Sequence, residues 1–146
     1  MFQLGSISSG TLRTEDLLQA FVEQYRLRNL NTNPRLGLEA GRLIRIAGDR
    51  EWTDDEHHSA GMVCIALQDA LQESCPPFVY FGAHPGDGAD FGFWPDMDSL
   101  NEAIDQQGER GFDECWLDDG NVIVQVSDHG NVTVMDMNRE IFWSVV

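Results

Sequence analysis

Residues 75–95, with the sequence CPPFVYFGAHPGDGADFGFWP, decide the fold class of this chain. The two aromatic runs at 78–81 and 91–94 have the composition of β-strands. The segment between them contains Gly82, Gly86 and Gly88. Glycine readily adopts the positive-φ conformations that a long hairpin loop needs. We therefore predict two strands joined by a long, glycine-rich loop.

The predicted loop also carries side chains suited to a binding or catalytic site. These are His84, Asp87 and Asp90, and Asp128 and His129 of a later turn would join them if both loops lie at one sheet edge. An imidazole with carboxylates can hold a divalent metal or act in general acid–base catalysis. The structural alternative is that these side chains hydrogen-bond the loop backbone. The ligand set from one loop is incomplete, so we expect neither a metal nor a cofactor.

An amphipathic helix is predicted near the start of the chain, after a short strand or arm in residues 1–10. Thr11 or Thr14 can cap this helix, and the segment at 29–37, NLNTNPRLG, ends it. Its apolar face is formed by Leu17, Leu18, Phe21, Val22 and Tyr25.

The next segment is ambiguous. In residues 38–47, Leu38, Ile44 and Ile46 allow a short strand, while the apolar spacing also fits a helix that Gly37 and Gly41 weaken. We favour irregular or helical structure. The arginines in and around the segment are Arg35, Arg42, Arg45 and Arg50. We expect them to form ion pairs with the acidic remainder of the chain, residues 51–146.

A second clear helix opens with a capping box. Thr53 is its cap, Glu56 stands three residues later, and the helix ends before Pro76. His57 and His58 fall in its first turn. Neighbouring residues on a helix point about 100° apart, so we expect two solvated histidines rather than a shared metal site.

After the hairpin, the sequence predicts a helix at 96–107 and then a β-meander at 122–127, 132–137 and 141–146. The expected fold class is α+β, with residues 1–146 in a single domain. An antiparallel sheet of about five strands, from the central hairpin and the meander, would carry two or three helices on one face.

Several function classes are disfavoured by composition. No run of 18 apolar residues occurs and no signal peptide is apparent, so we expect a cytoplasmic protein that does not enter a membrane. The three cysteines, Cys64, Cys75 and Cys115, have neither disulfide nor metal spacing. A catalytic thiol would require a lowered pKa, and we expect buried or incidental thiols instead.

Charge is the most informative global property. The chain has 25 acidic residues and nine basic ones, all of them arginine, for a formal net charge of −16. Residues 1–50 carry a net +2, whereas residues 51–146 carry −18. Nucleic acid is therefore excluded as a direct partner, because binding it requires cations to neutralise phosphates. A basic protein is favoured instead, reached by electrostatic steering.

The acidic residues are concentrated along one predicted helix and the segment that follows it. Their spacing of four, three and four places Asp98, Glu102, Asp105 and Glu109 in one stripe. The adjoining acids are Asp113, Glu114, Asp118 and Asp119. Like charges at these spacings cost an isolated helix about 0.2–0.5 kcal/mol a pair. We predict that these eight residues form a partner-binding surface.

The residues CPPFVYFGAHPGDGADFGFWPDMDSL and VSDHGNVTVMDMNREIFWSVV carry a resemblance. They are similar to uncharacterised small acidic proteins encoded by bacteriophages and some actinobacteria, which pair a PPxxYFGAHxGDGADxGFW-like core with a DHGNVT…WSVV-like ending. The opening GTLRTEDLLQAF resembles their first helix. The resemblance implies a phage or mobile-element origin, and it assigns no catalytic residue.

Two functional hypotheses follow. The first is an acidic decoy, or DNA mimic, that inhibits a basic host protein which binds nucleic acid; in a phage setting this would be a defence nuclease such as a restriction or CRISPR effector. The alternative is that the acidic residues have no binding role and only keep the protein soluble. The second hypothesis is a small metal-dependent or general acid–base enzyme at the glycine-rich loop. A homodimer or a virion component is a further possibility, which adjacent exposed aromatic side chains would favour.

Overall fold

The computed structural model describes residues 1–30, 33–106, 114–117 and 121–146. Four helices and seven strands are defined there. The helices are α1 (Thr14–Leu27), α2 (Pro34–Asp49), α3 (Asp54–Glu73) and α4 (Met97–Gln106). The strands are β1 (Gly5–Ser8), β2 (Val79–His84), β3 (Asp87–Pro95), β4 (Glu114–Leu117), β5 (Val122–Val126), β6 (Val132–Asp136) and β7 (Ile141–Val145). The predicted α+β class is confirmed.

The chain divides into two compact units, which we describe separately. The helical unit comprises Ser6–Cys75 and Phe81–Gly92, and the sheet unit comprises Met1–Gly5, Pro76–Tyr80 and Phe93–Val146. The strands form two sheets, with the orders β1-β3-β2 and β4-β5-β6-β7. The hairpin and the meander were expected in one sheet. They lie in different sheets: β1 pairs with β3 of the hairpin, and β4 pairs with β5 of the meander.

Helix α1 follows its predicted apolar pattern and buries Leu18, Phe21, Val22 and Tyr25. Its cap differs from the prediction. The residue before the helix is Arg13, which provides no side-chain cap, and the Thr11 hydroxyl donates instead to the Asp16 carboxylate at 2.7 Å. The helix ends where expected, since Asn29 adopts a positive φ of 53°, a conformation that asparagine tolerates at helix ends.

The ambiguous segment is a full helix, α2. Asn33 caps it by accepting the Arg35 backbone N–H at 3.2 Å, and Pro34 occupies the first turn, where no intrahelical donor is lost. One of the two glycines that weakened the prediction, Gly41, lies at a close approach to α1. Arg26 of α1 donates to the Gly37 carbonyl at 3.2 Å, and a Cβ on Gly41 would lie 3.1 Å from the Arg26 guanidinium.

Helix α3 opens with the predicted capping box: the Thr53 hydroxyl accepts the Glu56 N–H, and the Glu56 carboxylate accepts the Thr53 N–H. It buries Ala60, Val63, Leu67 and Leu71, and it packs against both α1 and α2. The three helices thus form the main body of the helical unit. Phe21 of α1 adds edge-on contact with Phe81, at a ring-centroid distance of 5.2 Å.

The long hairpin loop was a wrong prediction. Strand β2 runs to His84 and β3 begins at Asp87, so Pro85 and Gly86 alone make the turn. A two-residue connection is the usual length for an antiparallel hairpin. The aromatic runs therefore mark only part of each strand, because the glycine-rich residues between them continue the strands almost to the turn.

The sheet unit is built on the antiparallel meander. One sheet face buries Leu117, Val124, Val134 and Trp143, which are all at most 1% exposed. The Trp143 indole N–H donates to the Pro77 carbonyl at 2.7 Å, so the largest core side chain also satisfies its polar atom.

None of the helices in the described ranges has the length and apolar run that spanning a bilayer requires.

Helix α4 is short, but its start is well defined. The Asp96 carboxylate accepts the backbone N–H and the hydroxyl of Ser99, at 3.0 and 2.7 Å. Leu100 and Ile104, four residues apart, are buried. Burial of these two side chains determines which face of α4 is exposed to solvent.

Candidate functional site

The acidic stripe is realised on α4 for the three residues that the structure describes there. Asp98, Glu102 and Asp105 are all exposed, on the helix side away from Leu100 and Ile104. Glu102 accepts a hydrogen bond from Gln106 at 3.1 Å, which is a contact within the stripe's own helix. The helix therefore presents a row of carboxylates to solvent, as its spacing predicts.

Four arginines of the described residues form ion pairs away from α4. Four ion pairs occur in the described ranges: Arg13–Glu15, Arg42–Glu39, Arg50–Glu56 and Arg139–Glu114, with N–O distances from 2.6 to 2.9 Å. Neither Asp98 nor Glu102 belongs to an ion pair among these residues. Arg50 meets the prediction of pairing with the acidic remainder of the chain, because its partner is Glu56, whereas Arg42 pairs with Glu39 of its own helix. Arg35 and Arg45, both exposed on α2, form no ion pair within the described part of the chain.

Glu114 has a structural use that the sequence did not indicate. Both of its oxygens accept from the Arg139 guanidinium, at 2.9 and 3.3 Å. Glu114 lies on β4 and Arg139 in the turn after β6, two strands away in the sheet. Strands lie about 4.8 Å apart, so the two long side chains together span the width of β5. Because the carboxylate is half-buried and paired, Glu114 adds little to a surface that must attract an external cation.

The remaining members of the predicted acidic surface cannot be placed. Glu109, Asp113, Asp118 and Asp119 lie outside the described residues. Apart from the paired Glu114, the described part of the predicted surface consists of Asp98, Glu102 and Asp105, which we call the α4 stripe.

The hairpin side chains bind their own backbone or a neighbouring strand. His84 Nδ1 accepts the Gly86 N–H and Asp87 accepts the Ala89 N–H, each at 3.0 Å. Asp90 accepts a hydrogen bond from the Ser6 hydroxyl of β1. His84 and Asp87 flank one turn, but each is oriented by a local bond of the kind that stabilises turns.

The second predicted loop is a tight turn in the sheet unit. Gly130, with a φ of +81°, donates its N–H to the Ser127 carbonyl at 2.8 Å, and Asp128 and His129 lie between them. Asp128 lines a cleft of about 460 Å³ together with Ser127 and Asn131. Among the residues with described positions, which include all five members of the predicted loop site, no group of three or more His, Cys, Asp or Glu side chains could hold a metal ion.

Two of the three cysteines have a raised pKa, which makes them weaker acids than a free thiol. Burial raises the pKa of Cys64 to about 11, and it raises the pKa of Cys75 to about 11 despite the nearby Arg28 guanidinium. Cys115 is buried in the sheet unit. Both half-buried thiols are therefore protonated at neutral pH, which is opposite to what a nucleophilic thiolate requires.

The junction of α2 and α3 concentrates the polar contacts of the helical unit. The Trp52 indole N–H donates to the Leu43 carbonyl at 2.8 Å, and the His57 ring packs edge-on against Trp52. The Arg50 guanidinium donates one hydrogen bond to each carboxylate oxygen of Glu56, both at 2.8 Å. This guanidinium and the Thr53 N–H lower the pKa of Glu56 to about 2. His58 is exposed, as expected for a solvated side chain.

Sequence reasoning missed one surface. Met62 and Ile65 of α3 are each 57% exposed, and no role was predicted for them from the sequence. The signal was available in the sequence, because Met62 and Ile65 fall on the opposite side of the helix from Val63 and Leu67.

Comparison with known proteins gives no family assignment. No protein-family model matches the chain, and neither curated proteins nor solved structures give a match. The resemblance to bacteriophage proteins therefore stays a prediction.

Proposed function

We propose that this protein is an acidic binding module that presents the α4 stripe to the cationic surface of a nucleic-acid-binding protein. The proposal rests on the difference between carboxylates that are paired with arginine and two carboxylates of α4 that are not so paired among the described residues. Arginines neutralise carboxylates at four other places in the described chain, whereas Asp98 and Glu102 face solvent without one.

The geometry of the stripe suits a groove that binds a polyanion. Its residues rise along the helix axis by about 6 Å and then about 4.5 Å. Nucleic acid presents one charge for each strand about every 3.4 Å of helix axis. A row of arginines or lysines that tracks phosphates can therefore meet several carboxylates of α4 at once.

The cost of the stripe also favours a role in binding. Like charges four residues apart destabilise a helix by about 0.2–0.5 kcal/mol a pair. Solubility alone requires net charge anywhere on the surface, and the chain has 25 acidic residues to supply it. Clustering of exposed carboxylates adds association rate and specificity toward a positive partner.

The target class rests on the resemblance to bacteriophage proteins. A phage protein of this charge would gain from blocking a host defence nuclease, such as a restriction or CRISPR effector, because such enzymes hold DNA or RNA in basic channels. Inhibition would then be competitive with nucleic acid.

The test compares two triple variants of equal charge change. Asp98→Asn, Glu102→Gln and Asp105→Asn together neutralise the stripe. The matched control combines Glu23→Gln, Asp49→Asn and Glu51→Gln, three exposed acids of the helical unit. Each protein is immobilised and used to capture partners from a bacterial host lysate, and the captured proteins are then challenged with duplex DNA and with RNA.

We expect the wild type and the control to retain a nucleic-acid-binding protein that the stripe variant does not retain. Excess DNA or RNA should release this partner, because both ligands would occupy the same cationic surface. Equal retention by both triple variants would contradict the assignment of the stripe. Retention that nucleic acid does not disturb would contradict charge mimicry.

A further inference from the structure

The outer face of α3 carries a short row of residues that the fold does not use. His58, Met62, Ile65 and Asp69 are all exposed, and they follow one another at intervals of four, three and four residues. This spacing places them in one stripe on the helix. The stripe lies opposite the buried row of Ala60, Val63, Leu67 and Leu71. We call it the outer row of α3.

A glycine beside the outer row has no explanation within one chain. In the described part of the molecule, no side chain or neighbouring element lies within 4 Å of the position that a Cβ on Gly61 would occupy. Glycine in the interior of a helix costs about 0.5–1 kcal/mol relative to alanine. An alanine would fit here without a clash, so the fold of the single chain gains nothing from Gly61.

The outer row is complementary to itself when two copies are antiparallel. Met62 and Ile65 lie equally far from the point midway between Val63 and Cys64, and so do His58 and Asp69. A two-fold axis at that point would place Met62 level with Ile65 of a second copy, and His58 level with Asp69 of that copy. Each contact would then occur twice, as in any isologous interface.

We propose that the outer row of α3 is a self-association surface, on which a second copy of this chain packs its own α3 in antiparallel orientation. Gly61 stands on the side of the helix where Ile65 of the second copy would lie, and its missing side chain leaves room for that residue. Ala66 provides the equivalent space for Met62 of the second copy. The two small residues allow close approach of the helices while the two apolar residues fill the contact.

The pairing of His58 with Asp69 favours the antiparallel orientation. In a parallel pair, Asp69 would face Asp69 and His58 would face His58. In the antiparallel pair, His58 can donate an N–H hydrogen bond to the Asp69 carboxylate of the other copy. Toward the ends of the contact, Asp55 would come near Glu73 of the second copy, where like charges repel.

The dimer should be weak and should strengthen with salt. One helix pair is a small contact, and interfaces below about 1,200 Å² belong to transient complexes. Two chains that each carry a net charge of −16 also repel one another. Added salt screens this repulsion, since the Debye length falls to about 10 Å at 0.1 M ionic strength.

The experiment is sedimentation equilibrium of the purified full chain over a range of protein concentrations, at low and at moderate salt. Gly61→Gln places a long side chain where Ile65 of the second copy would lie. The matched control is Gly48→Gln, because Gly48 lies in α2 and likewise has no neighbour of the described chain within 4 Å of a Cβ. Both changes replace a helical glycine, so both should raise the thermal midpoint.

A second set of variants tests the orientation. His58→Asp would put two carboxylates level with each other and should weaken dimerisation by about tenfold, or more at low salt. The combination His58→Asp with Asp69→His exchanges the two partners and should restore the wild-type dissociation constant. Glu73→Gln should strengthen the dimer, because it removes the like-charge contact with Asp55.

We expect a concentration-dependent dimer for the wild type and for Gly48→Gln, and a monomer for Gly61→Gln. A wild-type chain that remains monomeric at every concentration and salt would overturn the proposal. A dimer that Gly61→Gln leaves intact would place the contact elsewhere. Failure of the charge exchange to restore association would overturn the antiparallel arrangement.

Discussion

The junction of α2 and α3 and the outer face of α4 use carboxylates in opposite ways. At the junction, Glu56 accepts hydrogen bonds from the Thr53 N–H and from the Arg50 guanidinium. On α4, Asp98 and Glu102 point into solvent and belong to no ion pair of the described residues. The contrast indicates that charges of the first kind help to specify the fold. Charges of the second kind are available to a partner.

The largest effect on stability should come from the tryptophan that closes the α2–α3 junction. Trp52→Phe removes the hydrogen bond to the Leu43 carbonyl and leaves space beside a side chain that is 6% exposed. We expect a loss of about 1–3 kcal/mol in the free energy of unfolding. Chemical denaturation measures it. A change within error would show that the junction is not a stabilising element.

A smaller loss is expected from the helix cap. Thr53→Ala removes the hydroxyl that accepts the Glu56 N–H at 3.3 Å, and loss of such a cap costs about 1 kcal/mol. Thr53→Ser keeps the hydroxyl and serves as the control, with stability close to that of the wild type. If the serine variant is as unstable as the alanine variant, the cap is not the cause.

The Glu56 carboxylate should make stability depend on pH in a defined window. Its pKa in the folded protein is about 2, below the usual value of 4.5. The folded state therefore holds fewer protons than the unfolded state between these values. The contribution of Glu56 is complete above about pH 4.5 and is lost as the pH falls toward 2.

Two variants isolate this contribution. Glu56→Gln should flatten the fall in stability between pH 4.5 and pH 2, the values that bound the Glu56 shift. Arg50→Gln should move the fall in stability to higher pH, because the hydrogen bond from Arg50 is the main cause of the low pKa of Glu56. Thermal melts across this range provide the readout. If both variants show the same dependence of stability on pH as the wild type, Glu56 does not cause that dependence.

The smallest change in stability is expected on α4. The combined Asp98→Asn, Glu102→Gln and Asp105→Asn variant should leave the free energy of unfolding unchanged or raise it by less than about 1 kcal/mol, since it relieves like-charge repulsion. Thermal and chemical denaturation can be compared with those of the control triple variant. A marked loss of stability would mean that the stripe belongs to the fold after all, and the contrast with the junction would fail.

The sequence predicted the elements whose signals are local. The apolar spacing of Leu18, Phe21 and Tyr25 and the capping box of Thr53 and Glu56 gave α1 and α3. Helix α2 was ambiguous because Gly37 and Gly41 weaken helix propensity, while the missing side chain of Gly41 leaves room for Arg26 of another helix. Tertiary packing of this kind has no signature within a short window of sequence.

The hairpin and the acidic surface show the same limit. The glycines suggested a long loop, but strand pairing with β1 and β2 extends β3 through Gly88. The spacing of Asp98, Glu102 and Asp105 correctly predicted three exposed carboxylates on one helix. It could not indicate that Glu114 pairs with Arg139, which is 25 residues away in the chain. Single-domain organisation of residues 1–146 stays a prediction.

The most direct test of the account is the salt dependence of partner affinity for wild type, stripe variant and control. Titration calorimetry with the captured nucleic-acid-binding protein would give the dissociation constant at several salt concentrations. We predict that neutralising the α4 stripe weakens binding by at least about tenfold, or roughly 1.4 kcal/mol, and flattens the salt dependence, while the control variant changes both much less. Equal affinities and equal salt slopes for the two variants would contradict the claim that the α4 carboxylates serve a partner.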